Sequence, residues 1–155
     1  MPTQSNSTPI VRPLVLVADP DTEYAVLIAR QLEWAGYGVI TTGNDADARA
    51  IIEEKRPDAL VVEAKLPELT GYALVRELRE QPHNRLLPIL MISARAGGLD
   101  RDFAFTVGAD EYVKKPFPCA AIVARLAHLI PAELDAAPMV RPRVRVAPRP
   151  VFATR

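Results

Sequence analysis

The stretch PDALVVEAKLPELTGYALV, residues 57–75, holds one complete unit of the fold. Residues 58–62 are almost continuously apolar, which predicts a strand buried on both faces. Glu63 ends that run, and a short loop bearing Pro67 follows. From about residue 69 to residue 80 the apolar positions Leu74, Val75 and Leu78 recur at helical spacing, until Pro82 closes the helix.

Outward from this unit the same alternation repeats. Four more short aliphatic runs, at 14–18, 37–41, 88–92 and 111–113, predict strands. In the first helix Asp19 reads as the N-cap and Pro20 as the first helical residue, with Asp21 and Glu23 suiting the positive end. That helix carries an apolar stripe of Ile28, Leu32 and Ala35 and stops at Gly36. The second runs from after Asn44 to about Lys55 on Ala48, Ile51 and Ile52. The fourth covers about 99–107 and ends at Gly108, and the fifth follows Pro118 with Ile122, Leu126, Leu129 and Ile130 inward. Five strand and helix pairs predict an α/β fold: a flavodoxin-like, doubly wound parallel sheet of order 2-1-3-4-5, with its site at the carboxyl ends of the strands.

Composition narrows the function. The chain has 155 residues, with Lys+Arg 19 balanced by Asp+Glu 19. That balance hides an asymmetry, since residues 131–155 hold Arg141, Arg143, Arg145, Arg149 and Arg155 against Glu133 and Asp135. Eight of the 15 prolines lie outside residues 14–130. Proline removes backbone donors and opposes helix and interior strand, so 14–130 reads as the domain, with flexible tails at 1–13 and 131–155. No run approaches the roughly 18 residues of a membrane span, and the N-terminus lacks the blocks of a signal peptide, so a cytoplasmic protein is expected. A single cysteine, Cys119, excludes an internal disulfide and a thiolate zinc cluster, and His83 and His128 offer little toward a metal.

The predicted topology brings four chemically useful side chains to one edge: Asp19 after the first strand, Glu63 after the third, Ser93 after the fourth and Lys115 after the fifth. Singly they read as a helix cap, a loop acid, a turn residue and a surface base. Their joint placement at four strand ends points to a common crevice.

The stretches LVLVADPD, PDALVVEAKLPELTGYALV, LPILMISAR and GADEYVKKPF, in that order, resemble the receiver domain of bacterial two-component response regulators, of the CheY-like kind, across residues 14–130. The resemblance implies an aspartate ending the third strand that takes a phosphoryl group from a histidine kinase, and two acids after the first strand that hold Mg²⁺. It also implies a Ser or Thr and a Lys contacting the phosphoryl oxygens. Ser93 and Lys115 match those last roles, Asp19 matches the first metal acid, and Tyr112 matches the aromatic that changes rotamer on activation. Pro116 matches a proline usually joined by a cis bond.

Three positions depart from the pattern. Glu63 stands at the phosphoacceptor position, Pro20 at that of the second metal acid, and Lys65 two residues past the acceptor. Pro20 removes an oxygen ligand that Mg²⁺ needs; Glu63 reaches one methylene further into the crevice; Lys65 adds positive charge. Asp21, on the first helical turn, points differently and is a poor replacement. The expectation is a phosphorylation-independent, non-enzymatic signalling domain with weakened or absent Mg²⁺ binding, in which Glu63 accepts from Ser93 and pairs with Lys115 and Lys65. Two alternatives remain: a working phosphoacceptor using Mg²⁺ and a histidine kinase, and a flavodoxin-like small-ligand domain. The acidic ADPDTEY segment lacks the Gly- and Ser/Thr-rich phosphate cradle that the ligand domain requires.

The segment 92–130 resembles the winged-helix subfamily of response regulators, which implies a homodimer or protein partner at the fourth helix, fifth strand and fifth helix. Arg101, Asp110, Glu111 and Arg125 stand where paired charges are expected, although Ala121 replaces a commonly acidic residue. No fused DNA-binding domain is expected in the 25 residues after Ile130. Their basic character suits an anionic partner, but Phe152 alone makes no base-stacking platform. Trp34 and Tyr72 read as packing residues and His128 as a surface residue; Cys119 has no neighbouring base or second thiol in the sequence.

Overall fold

The computed structural model describes residues 11–94 and 97–131; the expectations for the two tails fall largely outside these. The elements are β1 (Leu14–Ala18), α1 (Thr22–Trp34), β2 (Gly38–Thr42), α2 (Asp45–Lys55), β3 (Ala59–Glu63), α3 (Gly71–Glu80), a single 3-10 turn (Pro82–Asn84), β4 (Ile89–Ser93), α4 (Gly98–Val107), β5 (Glu111–Lys114) and α5 (Cys119–Leu129). All neighbouring strands are parallel, in the order β2-β1-β3-β4-β5. This is the flavodoxin-like order expected from the sequence. None of the described helices is long and apolar enough to cross a membrane.

Because successive strand residues point to opposite faces, the sheet divides the core in two. Leu16, Ala18, Leu60, Val62, Ile89 and Met91 pack against Ala48 and Ile52 of α2, Leu74, Val75 and Leu78 of α3 and Ala104 of α4. Val15, Val17, Ala59, Val61, Leu90 and Ile92 pack against Ile28 and Leu32 of α1 and Ile122 and Leu126 of α5. β3 and β4 are buried at every position, which is why their sequences are continuously apolar rather than alternating.

β2, β3 and β4 lie one residue later than the apolar runs suggest. Pairing extends through the polar ends, with Asp19 N–H donating to Thr42 O, Ala64 N–H to Ile92 O and Lys115 N–H to Ser93 O. At the opposite end Pro88 precedes the strand and takes part only as an acceptor, from Leu60 N–H.

The start of α1 differs from the sequence reading. Asp21, not Asp19, is the N-cap, its Oδ1 accepting from Glu23 N–H at 3.0 Å and Tyr24 N–H at 3.3 Å. Asp19 is buried at the sheet edge and accepts from Asp21 N–H at 2.8 Å. The chain thus turns once more before it becomes helical, and Pro20 lies outside the helix. At the other end of α1, Ala35 is the exposed C-cap rather than a core residue, and Trp34 is 85% exposed rather than packed. Tyr72 does pack against the core, with its ring 4.9 Å from that of Phe103.

α3 is fitted closely against the end of β3. Thr70 Oγ1 caps it by accepting from Ala73 N–H, and Gly71 N–H donates to Ala64 O at 2.8 Å. A Cβ on Gly71 would run into the Glu63 carbonyl oxygen. This contact brings the helix start against the strand that carries Glu63.

Candidate functional site at the carboxyl edge

Parallel pairing aligns the ends of β1, β3, β4 and β5, and the four side chains expected there stand at that edge. Asp19, Glu63 and Ser93 are 2%, 6% and 2% exposed. Lys115 follows β5 and is fixed at both ends: its backbone N–H donates to Ser93 O at 2.7 Å, and its ammonium reaches into the crevice.

There Lys115 Nζ donates to Asp19 Oδ2 at 2.7 Å. It also lies 2.7 Å from Glu63 Oε2, an ion contact without aligned hydrogen-bond geometry. The other carboxylate oxygens face backbone amides, Asp19 Oδ1 meeting Asp21 N–H and Glu63 Oε1 meeting Lys65 N–H at 3.2 Å. Burial alone would lower the Lys115 pKa, but its close contacts with the Asp19 and Glu63 carboxylates and the charges of both outweigh it, so the ammonium is held above the ordinary lysine range.

The remaining predicted residues take different places. Lys65 approaches Glu63 through its amide, while its side chain is exposed. Pro20 is exposed and offers no oxygen beyond its carbonyl. The Lys115–Pro116 peptide is cis. Tyr112 is 6% exposed and packed in the core layer with Met91, Ala104 and Ala109. Cys119 begins α5, half-buried, and His128 is exposed. Among the described residues no group of three or more His, Cys, Asp or Glu is arranged to hold a metal.

Away from the crevice, the charges expected on a dimer face are engaged within the chain. Asp110 Oδ2 accepts from Ile89 N–H at 2.8 Å and pairs with Arg79 at 3.0 Å. Glu111 pairs with Arg125 at 2.7 Å, and the Arg101 guanidinium lies 5.6 Å from the Phe105 ring centroid.

Two residues were not singled out from the sequence. Tyr24 places its ring 4.2 Å from Lys115 Nζ, although an aromatic on an amphipathic helix gives no sequence signal for this. Arg79 donates to the carbonyls of Asn84, Arg85, Leu87 and Gly108 as well as to Asp110. Its only sequence signal is a cation in the last turn of a helix.

This fold and this edge are those of a two-component signalling module, and the chain belongs to the response regulator receiver domain family, which matches residues 15–127. It is 36% identical over 123 residues to the transcriptional regulatory protein PrrA of Mycobacterium tuberculosis, covering 79% of this chain and 52% of that protein. The chain therefore spans about half the length of this relative. Among solved structures it is similar to a putative response regulator from Chloroflexus aurantiacus, with TM-score 0.75 and 31% identity over 77% of this chain and 98% of that one. The chemotaxis response regulator CheY4 of Vibrio cholerae is similar too, with TM-score 0.73 and 25% identity over 77% and 99%. Receiver domains act in two-component signalling through contact with histidine kinases and other proteins, typically with Mg²⁺ at the acceptor site.

Proposed function

We propose that this receiver signals without ordinary aspartyl phosphorylation, because its own charges already fill the acceptor crevice. The observation that carries the reading is the Lys115 ammonium 2.7 Å from carboxylate oxygens of both Asp19 and Glu63. Glu63 stands in for the phosphoacceptor, Ser93 and Lys115 occupy the phosphoryl-contact positions, and Tyr112 is the aromatic switch. Glu63 supplies about one negative charge where a phosphoryl group carries nearly two, so it imitates the modified state in part. The buried Tyr112 ring supports a resting form resembling the active arrangement. For the ion pair to bias the switch it must favour one arrangement over the other, and couplings of roughly 1–3 kcal/mol are typical.

The donor set does not fit Mg²⁺, which takes near-octahedral oxygens at about 2.0–2.1 Å. Pro20 has no carboxylate, and an ion between Asp19 and Glu63 would have to displace the ammonium that bridges them. No step through the metal follows for this chain. In this reading the output is protein contact through α4, β5 and α5, where Leu99 and Phe103 are 85% and 51% exposed. With Asp110, Glu111 and Arg125 paired internally, that contact is apolar more than ionic.

Intact mass measured after incubation with Mg²⁺ and a small acyl phosphate tests the reading. Wild-type protein is expected to gain no labile phosphoryl adduct. An adduct on the wild type would overturn the reading; one appearing only on Glu63→Asp would identify Glu63 as the decisive change.

A further inference from the structure

The Lys115 ammonium has a third neighbour besides the two carboxylates. The Tyr24 ring lies across it with its centroid 4.2 Å from Nζ. Tyr24 is half-buried on the first turn of α1, which Asp21 caps by accepting from the Tyr24 amide. Its ring also meets that of Phe117, at 5.7 Å between centroids and tilted by 54°. Lys115 and Phe117 come from one loop two residues apart, so a single aromatic side chain of α1 contacts both. With carboxylates and a ring around it, the Lys115 side chain is only 10% exposed.

We propose that Tyr24 closes the crevice as a positioning residue, its ring face holding the Lys115 ammonium toward Asp19 and Glu63 and shielding it from solutes. An aromatic face attracts a cation through its quadrupole, and the attraction grows when water is excluded. The phenolic oxygen is not needed for this; the π face is. An aliphatic side chain of similar bulk fills the space without attracting the charge. The inference deepens the reading of a self-occupied pocket, but the contact between Tyr24 and Lys115 exists whether or not Glu63 is ever phosphorylated.

The test is the rate at which acetic anhydride acetylates Lys115 in the full chain. It is read by peptide mass spectrometry against exposed Lys65 in the same molecule. In the wild type Lys115 reacts more slowly than Lys65. Tyr24→Phe keeps that protection to within about twofold, and Tyr24→Leu and Tyr24→Ala raise the Lys115 rate on the order of tenfold. The Phe and Leu variants keep the bulk of the side chain, so their comparison decides the matter even if the Ala variant unfolds. Protection by Leu equal to that by Phe, or a folded Ala variant as slow as the wild type, would overturn the proposal. A phosphoryl adduct on wild-type protein would overturn the reading of the pocket and leave this comparison standing.

Discussion

Glu63 Oε2 lies 2.7 Å from Lys115 Nζ, and the two side chains are 8% and 10% exposed. A pair this well buried is costly to break from one side, since the partner left behind is an uncompensated charge. Here Lys115 faces two acids, so the cost of losing it falls on both.

Lys115→Met therefore leaves Asp19 and Glu63 confronting each other without a cation. We expect a loss of about 3–5 kcal/mol, read as a lowered midpoint in urea unfolding. Adding Glu63→Gln to that variant should recover part of the loss, because one of the two stranded charges is removed. A Lys115→Met protein as stable as the wild type would contradict the ion pair.

The elevated Lys115 pKa sets a pH dependence on the alkaline side only. Its stabilisation is fully present below the unfolded lysine value of about 10.4 and is lost as pH rises through the higher folded value. As pH rises from neutrality, the stability gap between wild type and Lys115→Met, followed by denaturant unfolding, should narrow only above that point. A gap already closing near neutrality would contradict the assignment.

Gly71→Ala should destabilise the domain by about 1–3 kcal/mol, since the new Cβ meets the Glu63 carbonyl and lies 3.0 Å from Ala64 Cα. α3 must then move away from the end of β3. Thermal unfolding reads the loss, and an unchanged midpoint would mean the contact is looser than described.

Arg79→Met removes the donor shared by four carbonyls and Asp110. Buried carbonyls left without a partner cost about 1–3 kcal/mol each where water cannot reach them. We expect a lowered unfolding midpoint and faster amide exchange at Ile89, whose N–H donates to the Asp110 carboxylate that Arg79 holds. Wild-type exchange at Ile89 would contradict that coupling.

The strands and helices were legible because burial on both faces leaves continuous apolar runs, and because Asn44 and Gly108 mark helix ends by capping and by a positive φ. The one-residue lag of three strands was not legible, since hydrophobicity ends at the last apolar residue whereas backbone pairing continues through Thr42, Glu63 and Ser93. Asp19 was misread as a cap because Asp19 and Asp21 are both good capping residues and only the turn between them decides which one caps. Trp34 was misread because size and hydrophobicity suggest burial, whereas its position on α1 faces away from the sheet. The crevice itself was legible from topology, which aligns the strand ends. The Tyr24 contact was not, since it depends on how the first turn of α1 meets the loop after β5.

The central claim is that the crevice is already occupied by its own charges, and the most direct measurement is an NMR titration of the wild type with Mg²⁺ and beryllofluoride, a non-covalent phosphoryl mimic. The account predicts that the amide resonances of Ser93, Tyr112 and Lys115 stay where they are. Saturable shifts at those residues, spreading into α4 and β5, would contradict it and make this a receiver that still answers to phosphate.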